Sequence, residues 1–301
     1  MSFKQRIIDR IIKDPYVLIF WLCKYSGISS ISDWVKIKTS WRINKGYHID
    51  LKNPRTFSEK LEWMKLFDRN PEYTTWVDKY LCKEKVKEII GEEIIIKTLK
   101  VWNKSSDICV DNLPDKFVLK CTHDSGSVYI CKDRAKINLA EIRKKFAYFL
   151  RRNYYRLSME WPYKNVPHRI IAEEFIESND QELIDYKFYC FNGYVDCVMV
   201  CTERSTGNPK FYFFDREWNL LRLNPRGVNA PADFTLPKPE GMDRMFEIAS
   251  RLSKGLRYVR VDLYNNNGKI YFGEMTFFPS GGYDPNRLAS TEERWGSLIE
   301  I

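Results

Sequence analysis

The chain has 301 residues, 44% of them hydrophobic and 30% charged, which is enough apolar content for one large or two modest packed domains and excludes a disordered chain. With 49 Lys and Arg against 40 Asp and Glu, the formal net charge is +9. That excess favours anionic partners such as nucleotides, acidic glycans or an anionic membrane face.

The start is basic and rich in isoleucine: Lys4, Arg6, Arg10 and Lys13 interleave with Ile7, Ile8, Ile11 and Ile12. Two readings stay open for this amphipathic stretch, a peripheral contact with a membrane surface or a helix packed on its own domain. It has no small-residue cleavage site, so no signal peptide is expected. The apolar run Tyr16–Cys23 has eight residues, far short of a membrane span. The expected location is the cytoplasm, with the inner face of the membrane as the variant that the basic start allows.

Residues 1–100 read as a mainly helical region. Thr56 and Glu59 form a capping box for a helix carrying Leu61, Met64, Leu66 and Phe67. A second helix is expected from about Thr75 to Ile90, with Gly91 as its C-cap. Ile94–Ile96 reads as a short buried strand.

From residue 101 to 301 the pattern turns to strands. Lys116–Thr122 and Ser127–Cys131 flank the turn His123–Gly126, and Asn138 with Glu141 opens a helix to about Asn153. Arg169–Ile176, Asp185–Phe191, Tyr194–Thr202 and Lys210–Asp215 are further strands, and Gly241–Lys254 is a helix. Tyr258–Tyr264 and Lys269–Phe277 surround Asn265-Asn266-Asn267-Gly268, a hairpin signal. Strand-rich halves separated by helices argue for an α+β fold. The eight cysteines include no C-x-x-C and several lie in strand-like runs, so buried reduced thiols are expected rather than zinc or disulfides. No Lys/Arg block with interleaved aromatics stands out, so no nucleic-acid partner is expected.

Chemistry concentrates at a few places. Lys116 and Lys120 share one face of their strand. Ser125-Gly126-Ser127 exposes backbone amides to which phosphates can bind, although D-S-G is also an ordinary hairpin turn. Glu173-Glu174-Phe175-Ile176 ends a buried strand in a form that suits a flat ring. Lys187 can reach phosphate or serve as a surface cation beside Asp185. On the last hairpin, Asp262 and Glu274 can face each other across the ladder with Arg260 on the same side. Two adjacent carboxylates repel unless a cation intervenes. Mg²⁺ prefers one or two carboxylates plus phosphate oxygens, so two readings stay open for this group: a site for ATP phosphates with Mg²⁺, or a solvated hairpin with scattered charges.

The order of these parts resembles the ATP-grasp superfamily, in which two α+β subdomains clamp ATP. The segments N-P-R-T-F-S-E-K-L-E-W-M-K-L-F-D-R-N at 53–70, V-D-K-Y at 77–80, F-V-L-K-C-T-H-D-S-G at 117–126, D-Y-K-F-Y-C-F-N-G at 185–193 and F-G-E-M-T at 272–276 resemble its TupA-like branch, from about residue 40 to the end. That resemblance implies that Lys120 touches the α/β-phosphates and Ser125, Gly126 and Ser127 form a flap. It implies an adenine hinge at Glu173, Glu174, Phe175 and Ile176, with Glu182 on the ribose. Arg260 would meet the transferring phosphoryl with Lys187 beside it, and Asp262 and Glu274 would hold Mg²⁺. Thr276 stands where the family usually has a third ligand, Asn. The branch is named for teichuronopeptide synthesis and is associated with bacterial capsule, O-antigen and cell-wall polysaccharide pathways.

The expected activity is therefore an ATP- and Mg²⁺-dependent carboxylate–amine ligase acting through an acylphosphate. Its partners would be small-molecule or glycan-linked carboxylates and amines, a uronic-type sugar or an amino acid among the acids. The competing reading is a glycosyltransferase using a nucleotide sugar, a label such proteins often carry. Against it, no D-x-D motif is apparent.

Overall fold

The helix signalled by the capping box forms at Phe57–Phe67 in the structure, a computed structural model. Thr56 Oγ1 accepts the amide of Glu59 at 3.3 Å, and Glu59 Oε2 accepts the amide of Thr56 at 3.0 Å. A second acceptor comes from far along the chain. Glu292, on the helix Ala289–Leu298, takes the amide and the hydroxyl of Ser58, each at 2.7 Å. The amides left open at this helix start are thus closed partly by its own sequence and partly by the C-terminal helix. The structure describes residues 16–25, 32–178 and 183–301. The isoleucine-bearing start and Glu182 lie outside the described residues.

The expected helix over Thr75–Ile90 is two short helices, Glu72–Val77 and Cys82–Ile89. Asp78 separates them: its Oδ1 accepts the amides of Tyr80 at 2.9 Å and Leu81 at 3.2 Å, an Asx turn that competes with helix continuation. Gly91 has φ +137°, so it is not a left-handed C-cap. Ile94 and Ile96 are buried but form no strand. A single helical turn occupies Glu92–Ile94, and the first strand, β1, is Thr98–Trp102.

Strands β1, β2 (Phe117–Cys121), β3 (Val128–Cys131) and β4 (Ile170–Glu174) form an antiparallel sheet in the order β1-β4-β2-β3. The helix Leu139–Arg151, capped by Asn138, packs Ile142 and Phe146 against Phe117, Leu119 and Ile170. It stops at Arg151. Asn153 caps a separate short helix, Tyr154–Ser158, that leads to the site.

The second sheet contains β5 (Ile184–Phe191), β6 (Tyr194–Thr202), β7 (Lys210–Phe214), β8 (Leu220–Leu221), β9 (Val259–Asn266) and β10 (Lys269–Thr276). Its order is β10-β9-β5-β6-β7-β8, again antiparallel. Period-two alternation divides its faces. Phe188, Val261 and Leu263 join one buried cluster with Met245, Phe246 and Leu252 of the helix Met242–Ser253. On the other face Tyr189 stacks on Trp295 at 4.4 Å, and Tyr258 meets Phe57 edge-on at 4.8 Å. The helices from Phe57 to Ile89 contribute Phe57, Leu61, Trp76 and Val86 to that same cluster. The molecule is α+β, with mixed helices around two antiparallel sheets.

Cys82, Cys121, Cys131, Cys190, Cys197 and Cys201 are free and buried, and Cys109 is free and exposed. Among the described residues, no helix is long and apolar enough to cross a membrane.

The contact between the start of the Phe57–Phe67 helix and the helix Ala289–Leu298 gives a test. A Cβ on Gly296 would lie 2.1 Å from the carbonyl oxygen of Arg55 and 2.9 Å from the carbonyl carbon of Thr56. Alanine at a helical glycine normally gains up to about 1 kcal/mol, but overpacking against backbone costs about 1–3 kcal/mol. Gly296→Ala is expected to lower the urea unfolding midpoint, against the propensity scale.

Candidate active site

Strand register builds the site. Lys187 on β5 is the ladder partner of Asp262 on β9, and Asp262 is the partner of Glu274 on β10. The next row on the same face is Tyr189, Arg260 and Thr276. A bulge at Gly273 sets the second register, and a Cβ there would meet the carbonyl oxygen of Asp262 at 2.9 Å. The turn holding this hairpin uses Asn267 at φ +52° and Gly268 at φ +84°, as a tight hairpin requires.

Asp262 is buried and carries three charged contacts. Arg260 grips it in a fork, Nε to Oδ1 and Nη2 to Oδ2, both at 2.6 Å, and Lys187 Nζ reaches Oδ2 at 2.6 Å. Burial alone would raise its pKa, but Arg260 and then Lys187 outweigh that and hold it below the ordinary carboxylate value. Lys187 also lies 3.4 Å from Asp185, which Arg204 meets at 2.6 Å. Glu274 differs: its side chain is 39% exposed, with Arg260 Nη2 at 3.8 Å and the hydroxyl of Thr276 at 3.4 Å. Thr276 Oγ1 also accepts from Arg260 Nη2 at 3.1 Å.

The first sheet supplies a second charged group. Glu173, buried on β4, takes Lys120 of β2 at 2.7 Å and Lys83 of the Cys82–Ile89 helix at 2.5 Å. Burial would push Glu173 up, yet the two lysines bring it below its usual value. Burial also opposes the charge on Lys120, but Glu173, with Glu274 and Asp185 beyond it, raises its pKa. Lys116 lies outside this group, exposed and paired with Glu177 at 2.9 Å. Glu174 is exposed, and Phe175 and Ile176 are half-buried in the connector to β5.

The three turn residues divide. Ser127 is buried, accepting the amide of Cys121 at 3.2 Å and donating to Asp124, so its hydroxyl is part of the turn. Gly126 has φ +88° and open space around it. Ser125 is exposed and borders two cavities of about 430 Å³ each. Arg260, Glu274 and Ser280 border both as well, so the cavities form one cleft between the turn and the last hairpin. Phe211, Asn224 and Asn286 connect it to a further cavity of about 600 Å³.

The fold thus brings Ser125, Lys187, Arg260, Glu274 and Thr276 to one cleft, with Asp262 beneath them in contact with Lys187 and Arg260. Lys120, Gly126, Ser127, Glu173, Glu174, Phe175 and Ile176 do not line the two cavities. Sequence reading passed over Arg287 and Glu160, which do. Arg287 pairs with Glu292 at 2.6 Å, so the helix-capping acid also positions a cleft residue. Glu160 is buried, and burial pushes its pKa up to about 7. The stretch M-E-W-P-Y that contains it carries no charge pattern, only aromatic neighbours unusual for an exposed acid.

Among the described residues, no group of three or more His, Cys, Asp or Glu side chains forms a ready-made metal cage. Two paired carboxylates and a hydroxyl are oxygen donors that fit Mg²⁺, which keeps waters and takes phosphate oxygens.

A family model described as TupA-like ATPgrasp matches residues 59–300. No match was found among curated proteins. Among solved structures the chain is similar to D-alanine–D-alanine ligase from Bacillus anthracis complexed with ATP, at 16% identity and TM-score 0.46, covering 74% of this chain and 61% of that one. It is also similar to the ATP-grasp ligase PsnB complexed with a minimal precursor, at 11% identity and TM-score 0.40, covering 81% and 64%. VanG D-Ala:D-Ser ligase from Enterococcus faecalis matches at 14% identity and TM-score 0.43, covering 73% and 57%. The chain therefore spans less than two thirds of the length of each of these three proteins.

The two carboxylates should respond differently to neutralisation. Asp262→Asn leaves Arg260 and Lys187 without their shared anion, and breaking a buried pair costs about 3–5 kcal/mol. Glu274→Gln alters a partly exposed group and should change stability by about 1 kcal/mol or less. Urea unfolding of both variants checks the contrast.

Proposed function

The chain belongs to the TupA-like ATP-grasp family, and on that premise we propose that it is an ATP- and Mg²⁺-dependent carboxylate–amine ligase. The observation that carries this reading is the cross-strand row Lys187, Asp262 and Glu274 with Arg260 beside it, facing a cleft bordered by Ser125. The row sets two cations and two carboxylates on one rigid face. Such a face suits a triphosphate better than a neutral ligand.

In this reading Lys120 binds the phosphates nearest the nucleoside, and Ser125 with Gly126 closes over them. The end of β4 and its connector, Glu173–Ile176, hold the adenine, and Glu182 the ribose. Asp262, Glu274 and Thr276 hold Mg²⁺, which neutralises phosphate charge when bound. Arg260 and Lys187 meet the transferring phosphoryl group. A carboxylate oxygen of the substrate attacks the γ-phosphorus, the bond to the bridging oxygen breaks, and ADP leaves. The amine then attacks the acyl carbon and phosphate departs. The side chains contribute position and charge, and an arginine fork is preorganised for phosphoryl oxygens. Water would destroy the acylphosphate, which gives flap closure its purpose.

The cavity of about 600 Å³ beyond Phe211 and Asn224 is lined by Tyr212, Phe234, Asn208, Asn229 and Arg226. Aromatic faces and amides suit a sugar ring, so a uronic-type or glycan-linked carboxylate fits this arm. Together with the family, that supports a role in bacterial capsule, O-antigen or teichuronopeptide-type polysaccharide synthesis. The reaction would run in the cytoplasm, where ATP is supplied, or at the inner face of the membrane.

Hydroxylamine is small enough to replace the amine. With ATP, Mg²⁺ and a panel of uronic acids, nucleotide-linked uronates and amino acids, the protein should yield a hydroxamate with ADP and phosphate. Arg260→Ala should lose turnover by roughly 10²-fold or more while ATP affinity changes less, because its contact tightens at the transition state. Transfer from a nucleotide sugar to a glycan, without hydroxamate or ADP from any acid, would favour the glycosyltransferase reading.

A further inference from the structure

One of the two 430 Å³ cavities contains an acid that the ligase chemistry above does not use. Glu160 borders that cavity and is 3% exposed. Its Oε1 accepts the Tyr154 hydroxyl at 3.4 Å, and its amide donates to Ser158 Oγ at 3.2 Å. Among the described residues, no Lys or Arg forms an ion pair with it. The cation whose field reaches it, Lys65, is committed to Glu62 at 2.6 Å and to the carbonyl of Gly281 at 2.8 Å. Glu62 is itself fully buried. The groups around Glu160 are therefore Lys65 and Glu62 from the Phe57–Phe67 helix, Tyr154 from the short helix before it and Tyr163 from the turn after it. Glu274 on β10 and Tyr283 border the same cavity.

This corner holds one ammonium against two buried carboxylates. Burying a carboxylate without its own cation is costly, and a ligand that brings a positive charge removes the cost. The same cavity is bordered by Arg260, Thr276 and Ser280, so a group held there lies beside the expected acyl centre. We propose that this cavity takes the amine co-substrate as a primary ammonium, with Glu160 as the carboxylate that holds it and accepts its proton. The inference rests on the ligase reading. The proton passes from nitrogen to Glu160, and the freed lone pair forms the C–N bond. The acyl carbon–oxygen bond breaks, and phosphate leaves with that electron pair. The second proton lost from nitrogen goes to solvent. A carboxyl raised to about 7 by burial is poised for this exchange near neutral pH.

The test uses the full chain with Mg²⁺–ADP and two probe amines, ethanolamine and serinol, with glycerol as the uncharged isostere. Saturation-transfer NMR should show at least one amine, and not glycerol, bound at pH 8. Binding should fall as pH drops through about 7, because Glu160 is anionic above that value and neutral below it while both amines stay protonated. Glu160→Gln should weaken amine binding roughly tenfold or more, the worth of a charged hydrogen bond, with Mg²⁺–ADP affinity unchanged. Tyr154→Phe removes a bond that lowers the Glu160 pKa, so it should keep amine binding and move the pH midpoint upward. If Glu160→Gln does not fold, that midpoint decides, and an unmoved one overturns the assignment. Absence of amine binding to the wild type in the presence of bound Mg²⁺–ADP, or equal binding to Glu160→Gln, also overturns it. Failure of the wild type to bind Mg²⁺–ADP at all overturns the ligase reading first.

Discussion

The contact on which the cleft depends is the clamp on Asp262. Its carboxylate is buried between an arginine fork and a lysine, each at 2.6 Å. Ions in such a place must be paired or they would not stay charged. The clamp therefore fixes the rotamers of Arg260 and Lys187 and keeps two cations in a part of the protein that would otherwise expel them. It also orders the strands. Lys187 and Asp262 are 75 residues apart in the chain, and their pairing fixes β5 against β9. A slip of one residue would turn every charge into the apolar face that packs on Phe246. The bulge at Gly273 completes the row by bringing Glu274 opposite Asp262.

The first sheet repeats this logic. Glu173 binds Lys120 and Lys83, so one acid ties a helix to two strands. The acid of that trio is buried and the lysines nearly so, whereas Glu274 and Ser125 stay accessible at the cleft. The paired Asp262 clamp thus underlies the cleft, and groups with spare hydrogen-bonding capacity form its rim. A preorganised site benefits from that division, because the paired groups are held in place before a ligand arrives.

Local chemistry was the readable part of this protein. The Thr56–Glu59 box, the Asn-Gly turn of the last hairpin and the pairing of its two strands are short-range signals, and each forms as expected. What failed had other causes. Apolar spacing runs through Asp78 without interruption, but its side chain caps its own turn and meets Arg169 at 3.3 Å, 91 residues away, so the helix breaks there. β8 has only two residues, too few for a periodic signal. Among site residues, Arg260, Asp262 and Glu274 were legible on the hairpin and Thr276 through the family resemblance, but the bulge at Gly273 that brings Glu274 opposite Asp262 carries no sequence signal. The partnership of Lys187 with Asp262 and the burial of Glu160 come from chain segments meeting in space, whereas Asp124 takes up the Ser127 hydroxyl within their own turn.

The central claim is that the row on the last hairpin serves a nucleotide through a divalent cation. Calorimetric titration of ADP into the wild type and Glu274→Gln, each with Mg²⁺ and with EDTA, tests it most directly. Glu274 is the carboxylate with spare capacity and contributes little to stability, so its loss can be read without unfolding. The account predicts that Mg²⁺ tightens ADP binding by roughly tenfold or more in the wild type and that this gain largely disappears in Glu274→Gln. An equal Mg²⁺ gain in both proteins would contradict it.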